Sequence, residues 1–136
     1  MTQPYDFGEA KAKAREAAAL QRGAEKFMRE ASKEYALAEE AFRVALATRI
    51  VELRAEGQPA TLARDLARGD KDVAAKKRLS MIAEGVKEAA VQEAWRRAND
   101  RRELDSFIQW SMRRDLAEGF GNAPAPQYDS PIGGRK

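Results

Sequence analysis

The side chains able to do chemistry in this 136-residue chain are carboxylates, lysines, arginines, tyrosines and hydroxyls, for it has no histidine and no cysteine. General acid–base catalysis, nucleophilic triads and most transition-metal sites draw on those two missing types. A carboxylate pair can still hold magnesium. Yet Gly69-Asp70-Lys71-Asp72 lacks the ligand spacing of a calcium loop, and no glycine-rich phosphate loop follows a strand. The residue types therefore predict a non-catalytic protein with no metal site and no cofactor.

What remains is recognition by charge and by aromatic surface. From Gly57 to Ser80 six basic residues, Arg64, Arg68, Lys71, Lys76, Lys77 and Arg78, stand against Asp65, Asp70 and Asp72. That excess equals the net charge of the whole chain, +3. A local basic surplus can contact nucleic-acid phosphate or an acidic partner. The plainer reading is a solvated tip in which Asp72 and Lys76 form a helical i,i+4 pair. The run Trp95-Arg-Arg-Ala-Asn-Asp-Arg-Arg-Glu103 offers an arginine cluster beside an aromatic ring. Its spacing also supplies i,i+4 pairs at Glu93–Arg97, Arg96–Asp100 and Arg101–Asp105, which make it a self-neutralised helix surface. Trp95 and Trp110 are about four helical turns apart and share roughly one face. With Phe107 they are the candidate protein interface.

These residues need helices to position them. Residues 57–70 hold Pro59, flanked by Gly57 and Gly69, and this punctuation predicts a bend between two long helices. Gly57 suits the left-handed residue after a helix ending at Glu56, Thr61 is the expected N-cap of a short middle helix, and Asp70 is the expected cap of the next. Before the bend, Ala24–Glu56 reads as one helix, with Met28, Ala31, Tyr35, Ala38, Phe42, Leu46, Ile50 and Leu53 along one face. Gly23 is expected to interrupt it. Residues 9–21 favour helix but carry few large apolar side chains, so their order is expected to need a partner.

After the bend, residues 71–118 read as one long helix or a broken one. Leu79, Ile82, Val86, Ala89 and Ala90 form a stripe that resumes, with a phase shift near Asn99-Asp100, at Ala94, Ala98, Leu104, Phe107, Ile108 and Met112. Gly85 is expected to mark a close helix approach. Residues 1–8 read as a lead-in, and 119–136, rich in proline and glycine, as a flexible tail.

The segments Tyr35-Ala-Leu-Ala-Glu-Glu-Ala-Phe-Arg-Val-Ala-Leu-Ala47 and Leu53-Arg-Ala-Glu-Gly-Gln-Pro-Ala-Thr-Leu-Ala-Arg-Asp-Leu-Ala-Arg-Gly-Asp-Lys-Asp-Val-Ala74 carry a resemblance. Over roughly residues 28–110 the chain resembles small helical proteins of temperate phages of Gram-positive bacteria, encoded near replication and recombination genes. The resemblance implies phage origin and the host cytoplasm, and transfers no catalytic residue. The longer N-terminal segment and the tail depart from it.

The expected architecture is all-α: an elongated antiparallel helical hairpin or bundle, completed by homo-oligomerisation because two thin alanine-rich helices leave apolar surface uncovered. The charge of +3 and pI near 9.3 are only mildly basic, and no stretch is apolar enough to span a bilayer. The expected function is that of a phage accessory protein that binds a protein or nucleoprotein partner. Its setting would be phage DNA replication or recombination, or inhibition of a host defence system in the manner of an anti-CRISPR or a nuclease inhibitor. Direct nucleic-acid binding through the basic tip and a structural role in the virion are the alternatives.

Overall fold

In a computed structural model of the chain, residues 7–119 are described, and they form three helices: α1 (Phe7–Ala55), α2 (Ala60–Arg68) and α3 (Lys71–Gly119). The expectations for residues 1–6 and 120–136 lie outside the described residues. The two long helices have 49 residues each, roughly 73 Å at 1.5 Å per residue. They lie antiparallel along their whole length, as contacts at both ends show. Arg49 Nε is 3.3 Å from Asp70 Oδ2 near the bend, and Arg101 Nη1 donates to Gln21 Oε1 at 3.1 Å towards the open end.

The bend follows from local backbone chemistry. Gly57 has a φ of 94°, the left-handed region that a side chain disfavours. That conformation lets the Gly57 amide donate to the Arg54 carbonyl at 3.0 Å and the Gln58 amide to the Leu53 carbonyl at 3.1 Å. Together they satisfy the last carbonyls of α1. Thr61 is not the cap of α2. Pro59 holds that position in an extended conformation without a side-chain cap, and its carbonyl accepts from Ala63 at 2.8 Å, so the helix begins at Ala60. Asp70 does cap α3: its Oδ1 accepts from the amides of Asp72 at 3.0 Å and Val73 at 3.3 Å.

Gly23 does not interrupt α1, which starts at Phe7 and not at Ala24. Its neighbours in sequence are strong helix formers, and the helix tolerates one glycine. The alanine-rich segment 9–21 finds its partner within the chain, in the C-terminal half of α3.

The seam between the long helices has a regular repeat. On α1 the inward residues are Ala10, Ala14, Ala17, Gln21, Ala24, Met28, Ala31, Tyr35, Ala38, Phe42, Ala45 and Arg49, at alternating steps of four and three. On α3 they are Val73, Lys76, Ser80, Ala83, Lys87, Ala90, Ala94, Arg97, Leu104, Ile108 and Ser111, with Arg101 in the same register. This is the 3.5-residue period of a coiled coil. Among the described residues, the buried apolar side chains larger than alanine are Leu53 and Val73. Small side chains let the backbones approach closely, and the longer seam residues reach out along the partner. Lys87 Nζ stands 4.9 Å from the Tyr35 ring centroid and Lys77 Nζ 4.8 Å from that of Phe42.

The α1 stripe expected from Met28 to Leu53 is inward, buried or half-buried throughout. The expected α3 stripe is not. Ala90 is buried, but Leu79, Ile82, Val86 and Ala89 face outward. α3 is continuous through Asn99-Asp100, and its seam keeps one period there. The apparent phase shift is the step from an exposed apolar stripe to the seam itself.

Candidate interaction surfaces

The three helices divide the hairpin into flanks. Residues that immediately follow a seam residue lie on one flank. There Glu39 Oε2 accepts a 2.6 Å hydrogen bond from Ser80 Oγ, and α2 covers Leu46, Ile50 and Leu53 with Ala63 and Ala67. Residues that immediately precede a seam residue lie on the other flank, which α2 leaves open.

The six basic residues do not form one surface. Lys76 Nζ is 2.8 Å from Asp72 Oδ1, the pair expected from the sequence, and Lys77 is engaged with Phe42. Arg64 and Arg68 share the face of α2 turned away from Ala63 and Ala67, and Lys71 and Arg78 are two turns apart on α3. All four are exposed and have no ion pair among the described residues. Arg49, which sequence reasoning did not single out, is the cation held most firmly at the bend. It bridges Glu52 at 3.0 Å and Asp70 at 3.3 Å, and the Glu52 hydrogen bond, with Asp70 beside it, raises its pKa. Its signal lay in the 3.5-residue repeat, which puts position 49 in the seam.

The arginine run behaves as a paired helix surface. Glu93 accepts from Arg96 and from Arg97, each at 2.8 Å, and these bonds, Arg96's first, hold its carboxyl below the ordinary glutamate range. Arg101 pairs with Asp105 at 3.8 Å. Arg96 turns back to Glu93 in place of the expected Asp100. On the other flank Glu39 is likewise held low, first by the Ser80 hydroxyl and then by Arg43, and the Tyr35 hydroxyl is raised chiefly by the negative charge of Glu84.

The aromatic candidates separate. Phe107 and Trp110 have ring centroids 6.1 Å apart, and the Arg114 guanidinium lies 5.0 Å from the Trp110 ring. Trp110 is 55% exposed and Phe107 44%. Both precede seam residues, Ile108 and Ser111. Trp95, 61% exposed, follows the seam residue Ala94 and so turns to the other flank. The shared face expected for the two tryptophans comes from counting 3.6 residues per turn, whereas the seam runs at 3.5.

Among the described residues no three acidic side chains come together as a metal site, and no helix is long and apolar enough to cross a membrane. Comparisons with protein-family models, with curated proteins and with solved structures find no match. Of the two segments that carry the sequence resemblance, the second, Leu53 to Ala74, is the one that ends α1, forms α2 and caps α3. Turn chemistry accounts for Gly57, Pro59 and Asp70 within it.

Proposed function

We propose that this chain is a non-catalytic interaction protein that works by binding a protein or nucleoprotein partner. From the sequence resemblance we read that role as one of a phage-encoded accessory protein, acting in DNA replication or recombination or against a host defence system. The observation that carries the reading is the distribution of large apolar side chains. Leu20, Phe27, Trp95, Phe107, Trp110 and Leu116 are all more than two-fifths exposed, while the core is mostly alanine. A chain that keeps these side chains in water forgoes burial worth roughly 1.5–3 kcal/mol for each. Within this surface, Phe107, Trp110 and Arg114 combine the residue types that dominate protein interfaces.

The test is capture by the tagged protein from phage-infected host lysate treated with nuclease, with Phe107→Ala/Trp110→Ala beside the wild type. A protein held by the wild type and lost by the variant is the expected result. An identical set of captured proteins for both sinks the reading.

Direct nucleic-acid binding is the second reading, favoured by the four exposed and unpaired cations Arg64, Arg68, Lys71 and Arg78. It expects affinity for duplex DNA that falls steeply with salt. Changing all four to glutamine would abolish it.

A further inference from the structure

Beyond the recognition of a different partner, we infer that the open flank of the bend half is a self-association surface, and that two copies of this chain pack there face to face as a four-helix bundle. Along much of this half the residue that precedes a seam residue is apolar or small, between Asp72, which precedes Val73, and Glu34, which precedes Tyr35. On α1 these are Leu37, Ala41, Val44 and Thr48, with Val51 continuing the same spacing past the last seam residue, and on α3 Ala75, Leu79, Ile82, Val86 and Ala89. Each set repeats at steps of three and four, so each long helix carries a second coiled-coil stripe beside its first.

The antiparallel pairing brings the two stripes to one side. Glu39 and Lys77, which follow seam residues, lie on the flank of the Ser80 and Phe42 contacts. The preceding residues are therefore together on the opposite flank. There Leu37, Ala41, Val44, Thr48 and Val73 line an open groove whose charged members are Glu40, Arg49, Glu52, Asp70, Asp72 and Lys76.

The large side chains of this surface are well exposed: Leu37 56%, Val44 59%, Val51 67%, Leu79 59%, Ile82 58% and Val86 45%. Together they expose on the order of 600 Å², the size of the largest apolar patch on a typical monomer. With the alanines between them the surface approaches the ~800 Å² per partner of a standard interface. A stripe of this period is filled by another long helix, and a pair of stripes by another pair of antiparallel helices. This chain supplies such a pair.

Charge favours the same occupant. Glu40 and Arg78 sit at the outer edges of the α1 and α3 stripes, nearly level with each other. Neither makes an ion pair among the described residues. A two-fold axis along the hairpin sets α1 of one copy against α3 of the other, and Glu40 of one copy then meets Arg78 of the second, twice over. The empty space around Gly85, where an added Cβ would touch nothing within 4 Å, is at the same edge.

Sedimentation equilibrium of the purified full chain tests this, with circular dichroism on every variant to confirm that helix content is kept. The wild type is expected to sediment at twice its 15.1 kDa chain mass. Leu79→Glu/Ile82→Glu replaces two exposed side chains, and should weaken the dimer at least roughly thirtyfold, the effect of losing a central hot spot. Glu40→Arg should weaken it less, and Arg78→Glu added to Glu40→Arg should restore it. A monomeric wild type overturns the proposal and leaves the stripe to residues 120–136 or to a different protein. A dimer that withstands Leu79→Glu/Ile82→Glu, or that is lost with Phe107→Ala/Trp110→Ala instead, overturns it too. The lysate experiment on Trp110 can fail or succeed without touching this result.

Discussion

The two halves of the hairpin use the same seam and differ in what lies beside it. In the bend half, α2 covers one flank, Leu53, Ala63 and Ala67 make a core, and the other flank carries the exposed aliphatic side chains of Leu37, Val44, Val51, Leu79, Ile82 and Val86. In the open half there is no third helix. The residues that precede the seam are Glu9, Lys13, Glu16, Leu20, Gly23 and Phe27 on α1 and Glu93, Arg96, Asp100, Glu103, Phe107 and Trp110 on α3. Charges there alternate with isolated aromatics, a pattern that suits a local contact and not a second long helix. One architecture thus presents two chemistries: an extended aliphatic surface near the bend and a discrete aromatic one, backed by Arg114, towards the open end.

The largest test of this contrast is in the core. Leu53→Ala should cost about 2–4 kcal/mol in stability, since Leu53 is 5% exposed and packs on α2. The matched change in the open half, Leu104→Ala, removes a half-buried side chain from a two-helix layer and should cost less than half as much. Urea denaturation followed by circular dichroism measures both. Equal losses would mean that the halves are equally packed, and the division would fail.

The sequence shows the fold more readily than the surfaces, for a physical reason. Glycine, proline and aspartate act on their own backbone, so Gly57 and Asp70 are legible without tertiary knowledge. The α1 stripe is legible because Met28, Tyr35 and Phe42 are the large residues there and also the seam. On α3 the large residues Leu79, Ile82 and Val86 are outside, and the seam is made of Ser80, Ala83, Lys87 and Ala90. A search for large apolar residues finds the wrong stripe because close-packed helices select for small ones. What betrays the true seam is its period: Ser80, Ala83, Lys87 and Ala90 fall in one 3.5-residue register with Ala94, Leu104 and Ile108. Thr61 misleads because any hydroxyl near a helix start satisfies the capping rule, and Pro59 reaches the helix first.

Asp70 is the next largest effect, and it has no counterpart in the open half. Asp70→Ala removes the cap of α3 and the partner of Arg49, and should cost about 1 kcal/mol or somewhat more. Asp70→Asn keeps the cap and discards the charge, so it should recover most of the loss in the same denaturation experiment. If the two variants are equally damaged, the ion pair with Arg49 and not the cap sets the bend.

Acid separates the halves more gently. Glu39 and Glu93 are both held below the ordinary glutamate range. A carboxyl whose folded pKa is depressed contributes stability above its unfolded pKa, and that contribution is lost as pH falls through the folded value. Glu39 is bonded to Ser80 on the other long helix, whereas Glu93 is bonded to Arg96 and Arg97 on its own. The local pairs persist in part wherever the unfolded chain visits helix, so Glu93 contributes less to the difference between the states. Glu39→Gln should therefore flatten the fall of Tm below the glutamate range more than Glu93→Gln does. The reverse order would place the acid sensitivity in the open half.

The smallest effect has the opposite sign. Gly23 lies inside α1 in the open half, exposed, with nothing within 4 Å of where a Cβ would be. Gly23→Ala gives the helix a better former at no steric cost and should stabilise the protein by ~0.5–1 kcal/mol. Most of that gain should appear as slower amide exchange in residues 8–30 and their α3 neighbours, because the α1 seam of the open half is mostly alanine. Exchange that slows equally at Leu53 and Val73 would show that the hairpin opens as one unit. In that case the difference between the halves is one of surface and not of stability.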